Sequence, residues 1–134
     1  LYESVGTKAV KFALGLLARD PNVDSIVLNL MALPEELKGL PFYMSPEEYV
    51  RDLRAARGEA PHKPVVACVS GDKGAVEEVR RALDESGFPT YPSIWRAVRA
   101  LSALHEYAGL RAKLVRRKRG TAEELGPQNK AGFH

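Results

Sequence analysis

The chain is poor in residues that form disulfides, membrane spans and aromatic stacks. Its 134 residues include one cysteine, one tryptophan and two methionines. The single cysteine, Cys68, excludes an internal disulfide and is typical of a reducing cytoplasm. No apolar run approaches the roughly 20 residues that a membrane-spanning helix needs. We therefore expect one cytoplasmic domain with a hydrophobic core of its own.

The first residues lack both an initiator methionine and the charged-then-apolar layout of a secretory signal. This pattern favours a fragment or a processed piece of a longer protein. Twelve arginines stand against one glutamine and three asparagines, a balance typical of a thermophilic source. The net charge of +3 is concentrated late, in a basic cluster formed by Arg111, Lys113, Arg116, Arg117, Lys118 and Arg119.

The stretch from Pro64 to Gly87 is the clearest structural signal in the chain. The apolar run 65–69 predicts a strand covered on both faces, and helical spacing follows until Gly87. Between them lies a glycine-bounded turn, at the carboxyl end of the strand where α/β proteins bind ligands. An anion such as a CoA phosphate is one interpretation of its residues Ser70, Gly71, Lys73 and Gly74. The alternative is a simple turn capped by Asp72.

The remaining pattern predicts helices and strands in strict alternation. Helices are expected at 6–19, from the capping box of Ser45 and Glu48 onward, and from Pro92 to about Ala108. Strands are expected at 24–31 and 88–91. The order predicts an α/β fold, a flavodoxin-like three-layer αβα sandwich with a small parallel sheet. Such a domain usually opens with a strand, so we expect that its first strand, central in this fold, is lost by truncation.

Residues 1–110 are predicted to form the domain, followed by a basic helix end and a disordered tail at 111–134. The tail begins at Gly120 in this interpretation. The basic cluster could contact nucleic acid or an acidic partner. It lacks interleaved aromatic residues, which favours a solvated helix end over a specific nucleic-acid site.

Candidate catalytic and metal-binding residues are few. The three histidines, His62, His105 and His134, lack metal-ligand spacing and are interpreted as surface residues. Cys68 lies mid-strand among valines, which predicts an inert core thiol. Trp95 lies beside the apolar stripe of the last helix and is expected at a domain or subunit contact. The glutamate pairs at 35–36 and 47–48 follow prolines at helix starts, where they complement the helix dipole.

Four segments, in their order and spacing, resemble one domain of the ADP-forming acyl-CoA synthetases, relatives of succinyl-CoA synthetase. These segments are ARDPNVDSIVL at 18–28, KPVVA at 63–67, GFPTY at 87–91 and RAVRALSALHEY at 96–107. The resemblance covers about residues 1–110. It implies the flavodoxin-like carboxyl-terminal domain of the alpha chain. That enzyme interconverts acyl-CoA, ADP and phosphate with the acid, CoA and ATP through a phosphohistidine.

The resemblance implies a supporting role for this domain at the active-site loop and the subunit interface. The matching edge, beside the phosphohistidine, would be Asn29, Ala32, Glu35 and Glu36, although the family's glycine-rich turn is absent there. CoA, ATP or ADP and Mg²⁺ would belong to the whole enzyme, and the isolated chain would be inactive. Its partners would be the CoA-binding and phosphohistidine domains and the ATP-grasp subunit, in an oligomer.

Two other functions stay open from the sequence. The same domain set occurs fused to an acetyltransferase, which would make this chain a regulatory ligand-sensing domain. A small basic nucleic-acid-binding domain is the other alternative.

Overall fold

A computed structural model describes residues 3–126, with side chains from residue 8 onward. Helices and strands alternate along this part of the chain, as the sequence predicted. They are α1 (Glu3–Arg19), β1 (Ile26–Ala32), α2 (Pro46–Glu59), β2 (Val65–Gly71), α3 (Lys73–Glu85), β3 (Thr90–Tyr91) and α4 (Ile94–Leu125). A short 3-10 turn, Glu35–Leu37, lies in the crossover from β1 to α2.

The three strands form one parallel sheet in the order β1-β2-β3. The central strand β2 pairs with β1 from Ile26↔Val65 to Ala32↔Gly71, and with β3 through two residue pairs. Its residues 65–69 are all buried, as expected of a strand covered on both faces. The predicted α/β fold is confirmed: a small parallel sheet flanked by helices, compatible with a flavodoxin-like fold.

Strands β1 and β2 are direct neighbours over the full length of β1. No strand lies between them in the described sheet. The expectation of a central first strand therefore does not match this pairing.

The hydrophobic core lies between the sheet and helices α1, α2 and α3. Its least exposed large side chains include Leu14, Leu53, Leu83 and Phe88, each at 2 % exposure or less. Alternate residues of a strand point to opposite faces. The face of β1 that points away from this core is the more open one. On that face Asn29 is exposed and Met31 is 60 % exposed.

The chain divides into two compact units, Leu1–Arg99 and Ala100–His134. Helix α4 begins in the first unit and continues in the second, where residues 102–125 are all exposed. Its predicted end near Ala108 is wrong, and residues 120–125, predicted as part of a tail, lie within the helix. The stretch has no proline before Pro127 and is rich in Ala, Leu, Arg, Lys and Glu, which favour helix. Residues 127–134, including His134, lie outside the described part.

Within residues 3–126, no helix combines the length and the hydropathy that a bilayer-spanning segment needs.

Candidate functional site

The carboxyl ends of β1 and β2 meet closely at Ala32 and Gly71. The backbone N–H of Asp72 donates to the Ala32 carbonyl oxygen at 3.1 Å. Gly71 has a φ of +133°, and a Cβ placed there would lie 2.1 Å from the same oxygen. Gly71 is therefore required by the close approach of the two strand ends.

The sequence placed Ser70 and Gly71 in the turn, whereas both belong to β2 and only Asp72 separates β2 from α3. Asp72 is the N-cap, and its Oδ1 accepts hydrogen bonds from the N–H groups of Gly74 at 3.0 Å and Ala75 at 3.2 Å. The predicted cap is confirmed. An anion bound at this helix start would meet the Asp72 carboxylate, so the geometry favours capping over anion binding.

The predicted edge after β1 splits into exposed and buried residues. Asn29, Glu35 and Glu36 are exposed. Ala32 is fully buried and offers only its carbonyl oxygen, which the Asp72 N–H already occupies. The edge thus presents three polar side chains to solvent.

Helix α2 starts with the predicted capping box. Ser45 Oγ accepts from the Glu48 N–H at 3.2 Å, and Glu48 Oε2 accepts from the Ser45 N–H at 2.7 Å. Tyr49, one residue further, is buried and its hydroxyl donates to the Met31 carbonyl oxygen at 2.9 Å. This bond joins the start of α2 to the end of β1.

Carboxylates surround Tyr43 beside the start of α2. Burial raises the pKa of Tyr43, and the nearby charges of Glu35, Glu47, Glu48 and Glu78 raise the same pKa further. A cleft of about 450 Å³ lies here, lined by Tyr43, Glu47, Glu48, Lys38, Leu40, Pro41 and Ser45. This concentration of negative charge is unfavourable for a phosphorylated histidine at this cleft.

A second cleft, of about 340 Å³, lies between α1 and α2. Its lining is Lys8, Lys11, Phe12, Gly15, Arg19, Asp52, Ala55, Ala56 and Glu59. Asp52 is only 2 % exposed; its Oδ1 accepts from Arg51 Nε at 3.2 Å, but its Oδ2 has no hydrogen-bond partner among the described residues. A buried carboxylate oxygen without a donor is costly, so this atom is the strongest candidate for contact with a ligand.

Sequence reasoning missed Asp52, although a signal was present. Asp52 falls three residues after Tyr49 and four before Ala56, on the face that α2 buries. A carboxylate at that spacing in an apolar stripe predicts a buried charge.

Lys63 is a further buried charge that the sequence did not reveal. It is 7 % exposed, and its Nζ donates to the carbonyl oxygens of Leu17 at 3.2 Å, Ala18 at 2.7 Å and Asp20 at 2.5 Å. The ammonium thereby satisfies carbonyl groups that the end of α1 leaves without a helical partner. Its role is structural.

His62, His105 and Cys68 occupy the predicted environments. His62 is exposed, His105 is exposed and Cys68 is buried. Trp95 is 70 % exposed. Within residues 3–126, no group of three His, Cys, Asp or Glu side chains is placed to hold a metal ion.

Together these features define a small α/β domain with side-chain caps at the starts of α2 and α3. Among the described residues, the carboxylate oxygen Oδ2 of Asp52 is buried without a hydrogen-bond partner. None of the protein-family models, curated proteins and solved structures compared with this chain matches it significantly. Its function is therefore argued from its own residues.

Proposed function

We propose that this chain is a non-catalytic domain of an ADP-forming acyl-CoA synthetase. It would support the active-site loop and the subunit interface of an enzyme that uses CoA, ATP or ADP and Mg²⁺. The chemistry would lie in the CoA-binding and phosphohistidine domains and in the ATP-grasp subunit.

The contact made by Lys63 carries this proposal. Two of the segments that resemble the family, 18–28 and 63–67, touch each other here, because Lys63 Nζ binds the carbonyl oxygens of Ala18 and Asp20. The first segment also contains a local turn, in which Asp20 Oδ1 accepts a hydrogen bond from the Asn22 N–H at 2.8 Å. Two of the resembling segments are therefore in direct contact in the fold. Chance similarities at separate positions along a chain would not have to be in contact.

The other two segments lie on elements that complete the same scaffold. GFPTY runs through the buried Phe88 into β3, and the last segment opens α4 with the buried Ala97. These side chains contribute to packing, which supports a scaffold role. The acidic surroundings of Tyr43 support an interface role more than a direct contact with the phosphohistidine.

The test is reconstitution of the proposed enzyme. The chain would be expressed together with the CoA-binding and phosphohistidine domains and the ATP-grasp subunit, and ATP formation from acyl-CoA, ADP and phosphate would be measured. We expect activity only when the chain is present. An unrelated α/β domain of similar size is the matched control. Full activity without the chain, or failure of the pieces to associate, would overturn the proposal.

A ligand-sensing domain is the second candidate, and the unpaired Oδ2 of Asp52 favours it. The cleft between α1 and α2 has apolar walls from Phe12, Ala55 and Ala56 around this carboxylate. Lys8 and Lys11 line the same cleft. A ligand that fits it therefore carries an amine or guanidinium that donates N–H groups to Asp52, and a carboxylate that accepts from the lysines.

Thermal unfolding with L-arginine and L-lysine as probes tests this second candidate. A ligand that binds only the folded chain raises the melting temperature with concentration. We expect such a shift for the wild type and its loss in Asp52→Asn, which keeps the side-chain size and removes the charge. Acetate is the matched anionic control. Equal shifts in both proteins, or none in the wild type, would exclude an amine site at Asp52.

A further inference from the structure

The hydrogen bonds of β1 define which of its backbone groups point away from β2. In a parallel pair, the N–H and C=O of one residue point to the same side, and alternate residues point to opposite sides. The Ile26 N–H donates to the Pro64 carbonyl oxygen at 2.9 Å, and the Ala32 carbonyl oxygen accepts from the Asp72 N–H at 3.1 Å. The even-numbered residues of β1 therefore face β2, and its odd-numbered residues face the outer side of the sheet.

Most backbone groups on that outer side have no partner. The Met31 carbonyl oxygen accepts from the Tyr49 hydroxyl at 2.9 Å. Among the described residues, nothing donates to or accepts from the N–H and C=O groups of Val27 and Asn29. Asn29 is exposed and Val27 is half-buried. We call the N–H and C=O groups of Val27 and Asn29 the β1 edge.

The other outer strand of the described sheet, β3, is protected against pairing. It has two residues, and the Thr90 N–H, which points away from β2, donates to Asp84 Oδ1 at 3.2 Å. Strand β1 has seven residues, IVLNLMA, with no charge and no proline. Natural sheets block an edge with a short strand, a charge or a proline, and an open edge is a template for another strand. The β1 edge therefore fits an added strand.

We propose that two copies of this chain pair β1 with β1 in antiparallel direction across a two-fold axis at Leu28, forming one continuous sheet. Each Val27 then lies opposite Asn29 of the second copy, and the two residues exchange both N–H···O bonds. An axis at Asn29 would instead need the Met31 carbonyl oxygen, which Tyr49 already occupies. This inference goes beyond the proposed function and does not depend on it.

Three properties of β1 favour a second copy over a different strand. The β1 edge holds donors and acceptors in equal number at the same two residues, so an identical antiparallel strand satisfies all of them. Because the strand carries no charge, two copies of it oppose no like charges. A two-fold axis also closes the assembly, since each copy has one β1 edge and uses it once. The half-buried Leu28 would gain cover from Leu28 of the second copy.

Sedimentation velocity across a concentration series measures the dimer, and amide hydrogen exchange followed by NMR locates it. We expect a concentration-dependent dimer for the wild type. The amides of Val27 and Asn29 should exchange at least tenfold more slowly in concentrated than in dilute samples. The amides of Leu28 and Leu30, which face β2, should stay protected in both.

The variant Val27→Pro separates pairing from folding. Proline removes an N–H that β1 does not use for β2, so the chain should fold while the dimer weakens at least tenfold. Urea unfolding followed by circular dichroism checks the fold. The matched control is Val27→Thr, which keeps the N–H and a β-branched side chain and should dimerise like the wild type.

The variants Leu28→Cys and Asn29→Cys test the register. Across the proposed axis the two Cα atoms at position 28 lie about 4.5 Å apart, within reach of a disulfide, and those at position 29 about 8 Å apart, beyond it. Mild oxidation should link two copies of Leu28→Cys and not of Asn29→Cys, although position 29 is the more exposed. The native Cys68 is buried.

Three outcomes overturn the proposal. The first is a wild-type chain that stays monomeric, whatever other strand its β1 edge then accepts. The second is a dimer that survives Val27→Pro, which places the interface elsewhere. The third is a disulfide at position 29 in place of position 28, which excludes the axis at Leu28.

Discussion

Lys63 Nζ donates to the carbonyl oxygen of Ala18 at 2.7 Å, so a cation 45 residues further along the chain closes the end of helix α1. The same ammonium binds the carbonyl oxygens of Leu17 and Asp20. Because Lys63 precedes Pro64 at the entry to β2, this contact fixes the position of α1 relative to the central strand.

Replacing Lys63 by methionine should destabilise the chain by about 2 kcal/mol, because the carbonyl groups of Leu17, Ala18 and Asp20 lose a charged donor. Methionine keeps the length of the apolar stem, so the loss reports the ammonium. Urea unfolding followed by circular dichroism measures the change. Lys73→Met, at an exposed position, is the control and should stay within about 0.5 kcal/mol of the wild type. Equal stability of both variants would contradict the cap.

Gly71→Ala should destabilise the chain by more than about 2 kcal/mol, because it combines a strained φ with a Cβ 2.1 Å from the Ala32 carbonyl oxygen. Gly58→Ala is the matched control. Gly58 lies within α2 with no atom within 4 Å of its added Cβ, so alanine should stabilise the chain by up to about 1 kcal/mol. Opposite signs for the two changes in urea unfolding are the expected result, and a neutral Gly71→Ala would show that the strand ends can separate.

Asp52→Leu should raise the free energy of unfolding by about 1 kcal/mol, since it removes a buried carboxylate oxygen without a donor and adds apolar contact beside Phe12 and Ala56. Chemical unfolding at neutral pH measures it. The control is Asp24→Leu at an exposed position, for which a gain is not expected. If Asp52→Leu instead destabilises the chain, the carboxylate makes a favourable contact in the folded state.

Tyr49→Phe should cost about 1 kcal/mol at neutral pH, because the hydroxyl no longer donates to the Met31 carbonyl oxygen. The variant should also change the response to alkali. Burial, and then the charge of Glu48, raises the pKa of Tyr49 above its usual value near 10.

The sign of this alkaline effect follows from linkage. A phenol that holds its proton more tightly when folded contributes stability that is present below pH 10 and is lost as the pH rises through the raised pKa. Urea unfolding between pH 8 and pH 11.5 should therefore show a steeper loss for the wild type than for Tyr49→Phe. Parallel losses would mean that Tyr49 is not held neutral by the fold.

Much of the fold followed from local patterns. The alternation of helices and strands, the buried run 65–69, the capping box at Ser45 and the cap at Asp72 all depend on residues close in the chain. Short-range spacing is sufficient there, because each feature is made by neighbours within about one helical turn. The length of α4 was missed, since a helix end near Ala108 was predicted and the helix continues to Leu125.

The contacts that give the domain its candidate functions came only from the tertiary structure. Two of these contacts join residues from different elements: Lys63 binds the end of α1, and Gly71 lies against Ala32. The cleft around Asp52 is likewise lined by residues of both α1 and α2. Sequence patterns fix which side of an element is apolar, but not which backbone groups another element leaves without a partner. The amino-acid sequence thus determined an α/β chain with a buried central strand. Only the packing of its helices decided that the buried Lys63 has hydrogen-bond acceptors and that Oδ2 of the buried Asp52 has no donor among the described residues.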